Sequence, residues 1–120
     1  MSKPAIVLLV DDDLMVVRAL VRMLNSANYD IIVSYTAADA LMSIRAIGAQ
    51  VRLVLVADLN LPDGNGMKVA EETARIRPQT RTLFTTGGTA PPGEEHRTFL
   101  KPFNVLELRR RILVELASLP

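Results

Sequence analysis

The chain has 120 residues, 14 basic and 13 acidic side chains, and a formal net charge of +1. That length suits one compact domain with no room for a second of ordinary size, and the balanced charge offers no basic face to recruit nucleic acid. The absence of cysteine excludes disulfides, thiolate zinc sites and thiol chemistry, and a lone histidine, His96, excludes a histidine-rich metal centre.

The first element is the apolar run Ala5–Val10. It does not alternate, which is the pattern of a parallel strand buried on both faces. The four residues Met1 to Pro4 lack a signal-peptide pattern, because the run passes straight into Asp11-Asp12-Asp13. No apolar run approaches the ~18–20 residues of a membrane span. A cytosolic domain with no membrane partner is the expectation. Asp13 is placed to N-cap a helix to about Ala27, with Val17, Leu20, Val21 and Leu24 inward.

Ile31–Ser34 is a second short strand. Thr36 and Asp39 then resemble a capping box and open a helix to about Ile47. Leu53–Ala57 is another strand without alternation, followed by a helix over Gly66–Arg75. Thr82–Thr85 is the fourth strand. The segment Gly87–Arg97 then breaks the rhythm, since its prolines and glycines oppose a full helix and leave at most one turn near Gly93–Arg97. Thr98–Leu100 is the fifth strand, and Asn104 with Glu107 opens a last helix to about Ala117. Alternation of this kind predicts an α/β fold with a doubly wound parallel sheet.

Ligands of such sheets bind beyond the carboxyl ends of the strands. Reading there gathers Asp11, Asp12 and Asp13, then Asp58 and Asn60, then Thr85-Thr86-Gly87, and finally Lys101. Clustered carboxylates repel unless a cation joins them. Hard oxygen donors suit Mg²⁺. A metal, a lysine and a hydroxyl together would stabilise an incoming phosphoryl group, with a carboxylate as its acceptor.

The sequence resembles the receiver domain of two-component response regulators. The matching segments are Leu8–Asp13, Asp58–Gly66, Thr85-Thr86-Gly87 and Lys101-Pro102-Phe103, in family order. The resemblance implies a flavodoxin-like five-stranded sheet of order 2-1-3-4-5, and a receiver that spans residues 1–120. It implies that Asp58 accepts a phosphoryl group from a histidine kinase or phosphotransfer protein. Asp12 and Asp58 would bind Mg²⁺ together with the Asn60 backbone carbonyl, and Asp11 would act through a metal-bound water. Thr86 would be the switch hydroxyl, Lys101 would pair with the phosphoryl oxygen, and the Lys101–Pro102 bond would be cis. The chain would be a phosphoacceptor that assists its own phosphorylation and dephosphorylation, not a classical enzyme. Its output would pass through protein contacts near 87–97.

Two departures stand out. Lys101 follows Thr86 by only 15 residues, which agrees with a missing or very short fourth helix, as in an atypical subgroup of receivers. The family's aromatic switch position, three before the lysine, is Thr98, with Phe99 one place later. Plainer roles are expected elsewhere: Asp13 as a helix cap, Asp63 as a turn residue, His96 in an exposed loop, Arg109–Arg111 on the solvated face of the last helix, and the methionines as core filler. Glu94 and Glu95 stand where a phosphate loop from Gly88 to Gly93 would need Lys and Ser or Thr, so nucleotide binding there is rejected. Two alternatives to the receiver reading remain. One is an aspartate-nucleophile phosphatase built on the Asp11-x-Asp13 pair. The other is a degenerate receiver used only for docking.

Overall fold

The computed structural model describes residues 3–120; Met1 and Ser2, part of the N-terminal stretch read above, lie outside the described residues. Five parallel strands form one sheet: β1 Ala5–Val10, β2 Asp30–Ser34, β3 Arg52–Asp58, β4 Arg81–Thr86 and β5 Thr98–Leu100. Their spatial order is β2-β1-β3-β4-β5, the flavodoxin-like order expected. Four helices flank it: α1 Leu14–Leu24, α2 Ala37–Ala46, α3 Gly66–Ile76 and α4 Val105–Ala117. The Cα radius of gyration is 13.0 Å. No helix among the described residues is long and apolar enough to cross a membrane.

The strands that read as continuous apolar runs are the ones covered on both sides. Along β1 and β3, Val7, Leu9, Val54 and Val56 face a core shared with Val17, Leu20, Leu108 and Ile112 of α1 and α4. Leu8, Val10, Leu55 and Ala57 face the opposite core, shared with Ala40 and Ile44 of α2 and Val69 of α3. Period-two alternation along each strand thus serves two apolar layers at once. β5 is the shortest main strand and lies at an edge.

The helices start where the sequence placed their caps. The Asp13 carboxylate accepts from Met15 N and Val16 N at 3.0 and 3.2 Å. Asn104 Oδ1 accepts from Leu106 N and Glu107 N. Thr36 Oγ1 accepts from Asp39 N at 3.0 Å, the forward half of a capping box. Asn65, an unanticipated cap, accepts from Lys68 N and opens α3.

Several expectations need correction. α1 stops at Leu24, not Ala27, because Ser26 Oγ accepts from Asn28 N and Ser26 bridges Tyr29, turning the chain into β2. Val21 is only half-buried. Met15, Met23 and Met42 are exposed rather than core filler, since they fall on the outward positions of α1 and α2; Met67 alone of these helical methionines packs against the core. Arg111 is not simply solvated: it donates to His96 O at 2.8 Å and to Glu115 at 3.2 Å, tying α4 to the preceding loop. Arg109 Nε is buried, whereas Arg110 and His96 are exposed as expected.

Gly66 is a position where backbone approaches backbone. A Cβ there would overlap the Asp58 carbonyl and lie 3.3 Å from Ala57 Cβ. Neither neighbour can yield, because both belong to a central strand. Gly66→Ala should therefore destabilise the fold by about 1–3 kcal/mol, the usual cost of overpacking. A lower urea midpoint with an unchanged slope would register the loss.

Candidate functional site

The parallel arrangement delivers every strand's carboxyl end to one edge of the sheet. β1 ends at Val10, so Asp11 and Asp12 follow at that edge, and β3 itself ends in Asp58. β4 ends in Thr86, and Lys101 directly follows β5. Backbone bonds set these positions: Asp11 N donates to Ser34 O at 3.1 Å, Leu59 N to Thr85 O at 2.9 Å, and Lys101 N to Thr86 O at 2.7 Å. The Lys101–Pro102 peptide is cis.

Asp11 and Asp58 are buried, at 1% and 5% exposure, while Asp12 is exposed. One carboxylate oxygen from each of Asp11, Asp12 and Asp58 lies within 4.8 Å of the others. Lys101 Nζ donates to Asp58 Oδ2 at 2.8 Å and to Asp11 Oδ2 at 3.2 Å. The remaining oxygens meet backbone donors: Asp13 N to Asp11 Oδ1 at 2.9 Å, and Asn60 N to Asp58 Oδ1 at 3.0 Å. Burial raises the Asp11 pKa, against the Asp13 N–H and the Lys101 ammonium, and neighbouring Asp58 adds to the rise. Burial disfavours the Lys101 ammonium, but hydrogen bonds and charge from Asp58 and Asp11 outweigh it and hold its pKa above the ordinary value.

Thr86 is buried at the same edge, and its Oγ1 accepts from Gly88 N at 3.1 Å. Thr85, the neighbouring hydroxyl, is also buried and pairs with Asp58 in the β3–β4 register. Asn60 is exposed and opens a two-residue hairpin with Asn65. Asp13 faces α1 as its cap, so the Asp11-x-Asp13 pair does not converge as two free carboxylates.

The segment after β4 holds only a single 3-10 turn, Glu95–Arg97. Arg97, ion-paired with Glu94, lies 4.9 Å from the centroid of the Phe84 ring, a cation–π contact. Thr98 Oγ1 donates to Glu94 O at 2.7 Å. Phe99 packs toward the α1–α4 core, edge-on to Phe103 with centroids 6.1 Å apart. It therefore does not stand in for an aromatic at Thr98, whose side chain alternates to the other face.

The family model for the response regulator receiver domain matches residues 7–112. The chain belongs to this family. Among solved structures, it resembles a CheY-like receiver domain protein from Methanospirillum hungatei, with 22% identity, a TM-score of 0.79, and coverage of 96% of this chain and 95% of that one. It also resembles the signal receiver domain of an HD domain-containing protein from Pseudomonas fluorescens, with 22% identity, a TM-score of 0.82, and coverage of 98% and 89%. A third is the receiver domain of a putative LuxO repressor protein from Vibrio parahaemolyticus, with 25% identity, a TM-score of 0.78, and coverage of 98% and 92%. No functionally curated protein matches significantly. The receiver assignment is consistent with two-component signalling, in which such domains meet a kinase or phosphotransfer partner in general.

One residue in this region does more than its sequence suggested. The Asp63 carboxylate accepts from Ala37 N at 2.7 Å and Ala38 N at 3.0 Å, joining the loop after Asp58 to the start of α2. With Thr36 it satisfies the first three free N–H groups of that helix. The Ala37 and Ala38 donors hold the Asp63 pKa below its ordinary 3.8. The unfolded chain therefore binds the proton more readily, and the stabilisation is present above that ordinary value and lost as pH falls through the folded pKa. Asp63→Asn should lower the melting temperature at pH 7. The gap to wild type should close in acid below the folded pKa; a gap constant across that range would contradict the carboxylate's role.

Proposed function

We propose that this receiver accepts a phosphoryl group on Asp58 from a histidine kinase or histidine phosphotransfer protein, and that the whole of residues 1–120 serves that task. The supporting observation is the convergence of Asp11, Asp12 and Asp58 around a lysine bonded to two of them. An Asp58 carboxylate oxygen attacks the donor's phosphorus. A P–O bond forms, the P–N bond to the donor imidazole breaks, and the imidazole keeps the electron pair. Burial with a fixed cation favours this, because the ammonium is already oriented before charge arrives.

The three carboxylates form a hard oxygen set that fits Mg²⁺, with few enough protein ligands to leave room for water. Asp12 and Asp58 would hold the ion through carboxylates with the Asn60 carbonyl, and Asp11 through water. Bound there, Mg²⁺ supplies positive charge toward phosphoryl oxygens. Lys101 exchanges one carboxylate partner for a phosphoryl oxygen, and Thr86 donates its hydroxyl to another. The Asp13 carboxylate, engaged at the cap of α1, argues against the phosphatase alternative. The buried, paired state of Asp58 argues against a site retained only for docking. The domain acts as a phosphoacceptor rather than a classical enzyme, in the cytoplasm, and switches protein contacts as populations shift.

Incubation with Mg²⁺ and acetyl phosphate should add one phosphoryl group by intact mass. Asp58→Asn should abolish the gain, and chelation should suppress it. A gain that persists in Asp58→Asn but is lost in Asp11→Asn would instead support the hydrolase.

A second expectation concerns the Gly87–Arg97 segment, which starts directly after Thr86 and leads through β5 to Lys101. Fluoroberyllate should increase amide protection across it, and equal exchange with and without the analogue would refute the switch account. The residues two beyond Asp58 and Thr86 are Asn60 and Gly88, small enough to admit water, so the acyl phosphate should not persist for many hours in Mg²⁺.

A further inference from the structure

The opposite end of the sheet is built with the other charge. A cavity of about 580 Å³ opens there, at the amino ends of β3 and β4 and the carboxyl ends of α2 and α3. Arg52, which opens β3, lies on its wall. It stands six residues along one strand from Asp58, or roughly 20 Å at ~3.3 Å per residue. The two sites are therefore separate.

Lys3, Arg45, Arg52 and Arg77 line the cavity, and no Asp or Glu side chain does. Arg45 has a distant carboxylate partner, Glu72 at 3.6 Å. Arg52 and Arg77 have none among the described residues; every hydrogen bond they make is to a neutral backbone carbonyl. Arg52 donates to Lys3 O at 3.0 and 3.2 Å and to Leu116 O at 3.1 Å. Arg77 donates to Ile47 O at 2.7 Å, Gly48 O at 3.1 Å and Val51 O at 2.9 Å. These bonds fix the turn between α2 and β3. They solvate the guanidinium groups but cancel no charge, and burial alone lowers the Arg77 pKa. Partly buried cations without a counter-charge are costly unless an anion completes them.

One further feature points to a ligand. The remaining wall is largely apolar, including Ile47, Val51 and Ile76. A concave apolar wall with a few convergent polar groups is the usual composition of a small-molecule site. Inorganic ions would leave that wall uncovered.

We propose that this cavity binds a small organic anion, a carboxylate or sulfonate on an apolar body, with its charge toward Arg52 and Arg77. The site is independent of phosphoryl acceptance.

Sodium octanoate is a suitable probe, with 1-octanol as its neutral counterpart. Followed by heteronuclear NMR on the full chain, octanoate should shift the amides of residues 48–53 and 76–80 saturably. Octanol should bind about tenfold more weakly or worse, the loss expected for one charge-assisted hydrogen bond. Arg52→Gln and Arg45→Gln should each weaken octanoate binding. The Arg45 side chain is exposed, so Arg45→Gln should fold as wild type does and keeps the test valid if Arg52→Gln unfolds. Three results would overturn the proposal: shifts centred on the exposed apolar residues Leu14, Met15 and Leu106, equal affinity for octanoate and octanol, or no saturable binding.

Discussion

The site depends on one ammonium group held between two buried carboxylates. Asp11 and Asp58 stand at the ends of adjacent central strands, where the sheet leaves them little water. Two such charges side by side repel, and a cation between them relieves the repulsion. Lys101 supplies that cation from β5, two strands away from β3. Its backbone is bonded to Thr86, so the sheet ladder fixes where the side chain starts. Removing the lysine alone would leave the carboxylates facing each other, a cost on the order of 3–5 kcal/mol for a broken buried pair.

The short connection between β4 and β5 has a structural cost that the chain meets locally. A helix there would cover Phe84 on the α3 side of the sheet. Instead the Arg97 guanidinium lies over the ring and Glu94 neutralises it. Arg111 reaches from α4 to the His96 carbonyl and closes the far end of the same segment. The anchored part is thus 94–97, while Gly87, Gly88 and Thr89 remain exposed beside Thr86. With Thr98 bonded to Glu94 and Phe99 turned into the opposite core, no aromatic side chain links Thr86 to β5 as an aromatic at position 98 would.

Most of the fold was legible because burial writes itself into runs and caps. β1 and β3 lacked alternation, and both are covered on two faces. Asp13, Thr36 and Asn104 each preceded an amphipathic stretch, and each caps a helix. The carboxylates, Thr86 and Lys101 followed from one rule about strand ends. What escaped was long-range. Asp63 sits 26 residues from the helix it caps, and its Pro62-Asp63-Gly64 setting carries an equally good turn signal. Arg111 lies in a run of three arginines, and nothing local distinguishes the one that reaches the 96 carbonyl. The methionines followed composition into a predicted core, whereas helical phase puts Met15, Met23 and Met42 outside.

Charge distribution links the two ends of the sheet. A net charge of +1 suggests an even surface, yet Asp11, Asp12 and Asp58 cluster at the carboxyl edge while Arg45, Arg52 and Arg77 cluster at the amino edge. Segregation of this kind keeps the arginines from competing with Lys101 for Asp58, since strand β3 holds Arg52 and Asp58 a full strand length apart. It also leaves each end with an unmet partner of opposite sign. At the acidic end the three carboxylates form a set of hard oxygen donors that suits a divalent cation. At the basic end a single organic anion suffices, because two guanidinium groups already hydrogen-bonded to carbonyls need charge rather than further hydrogen-bond acceptors.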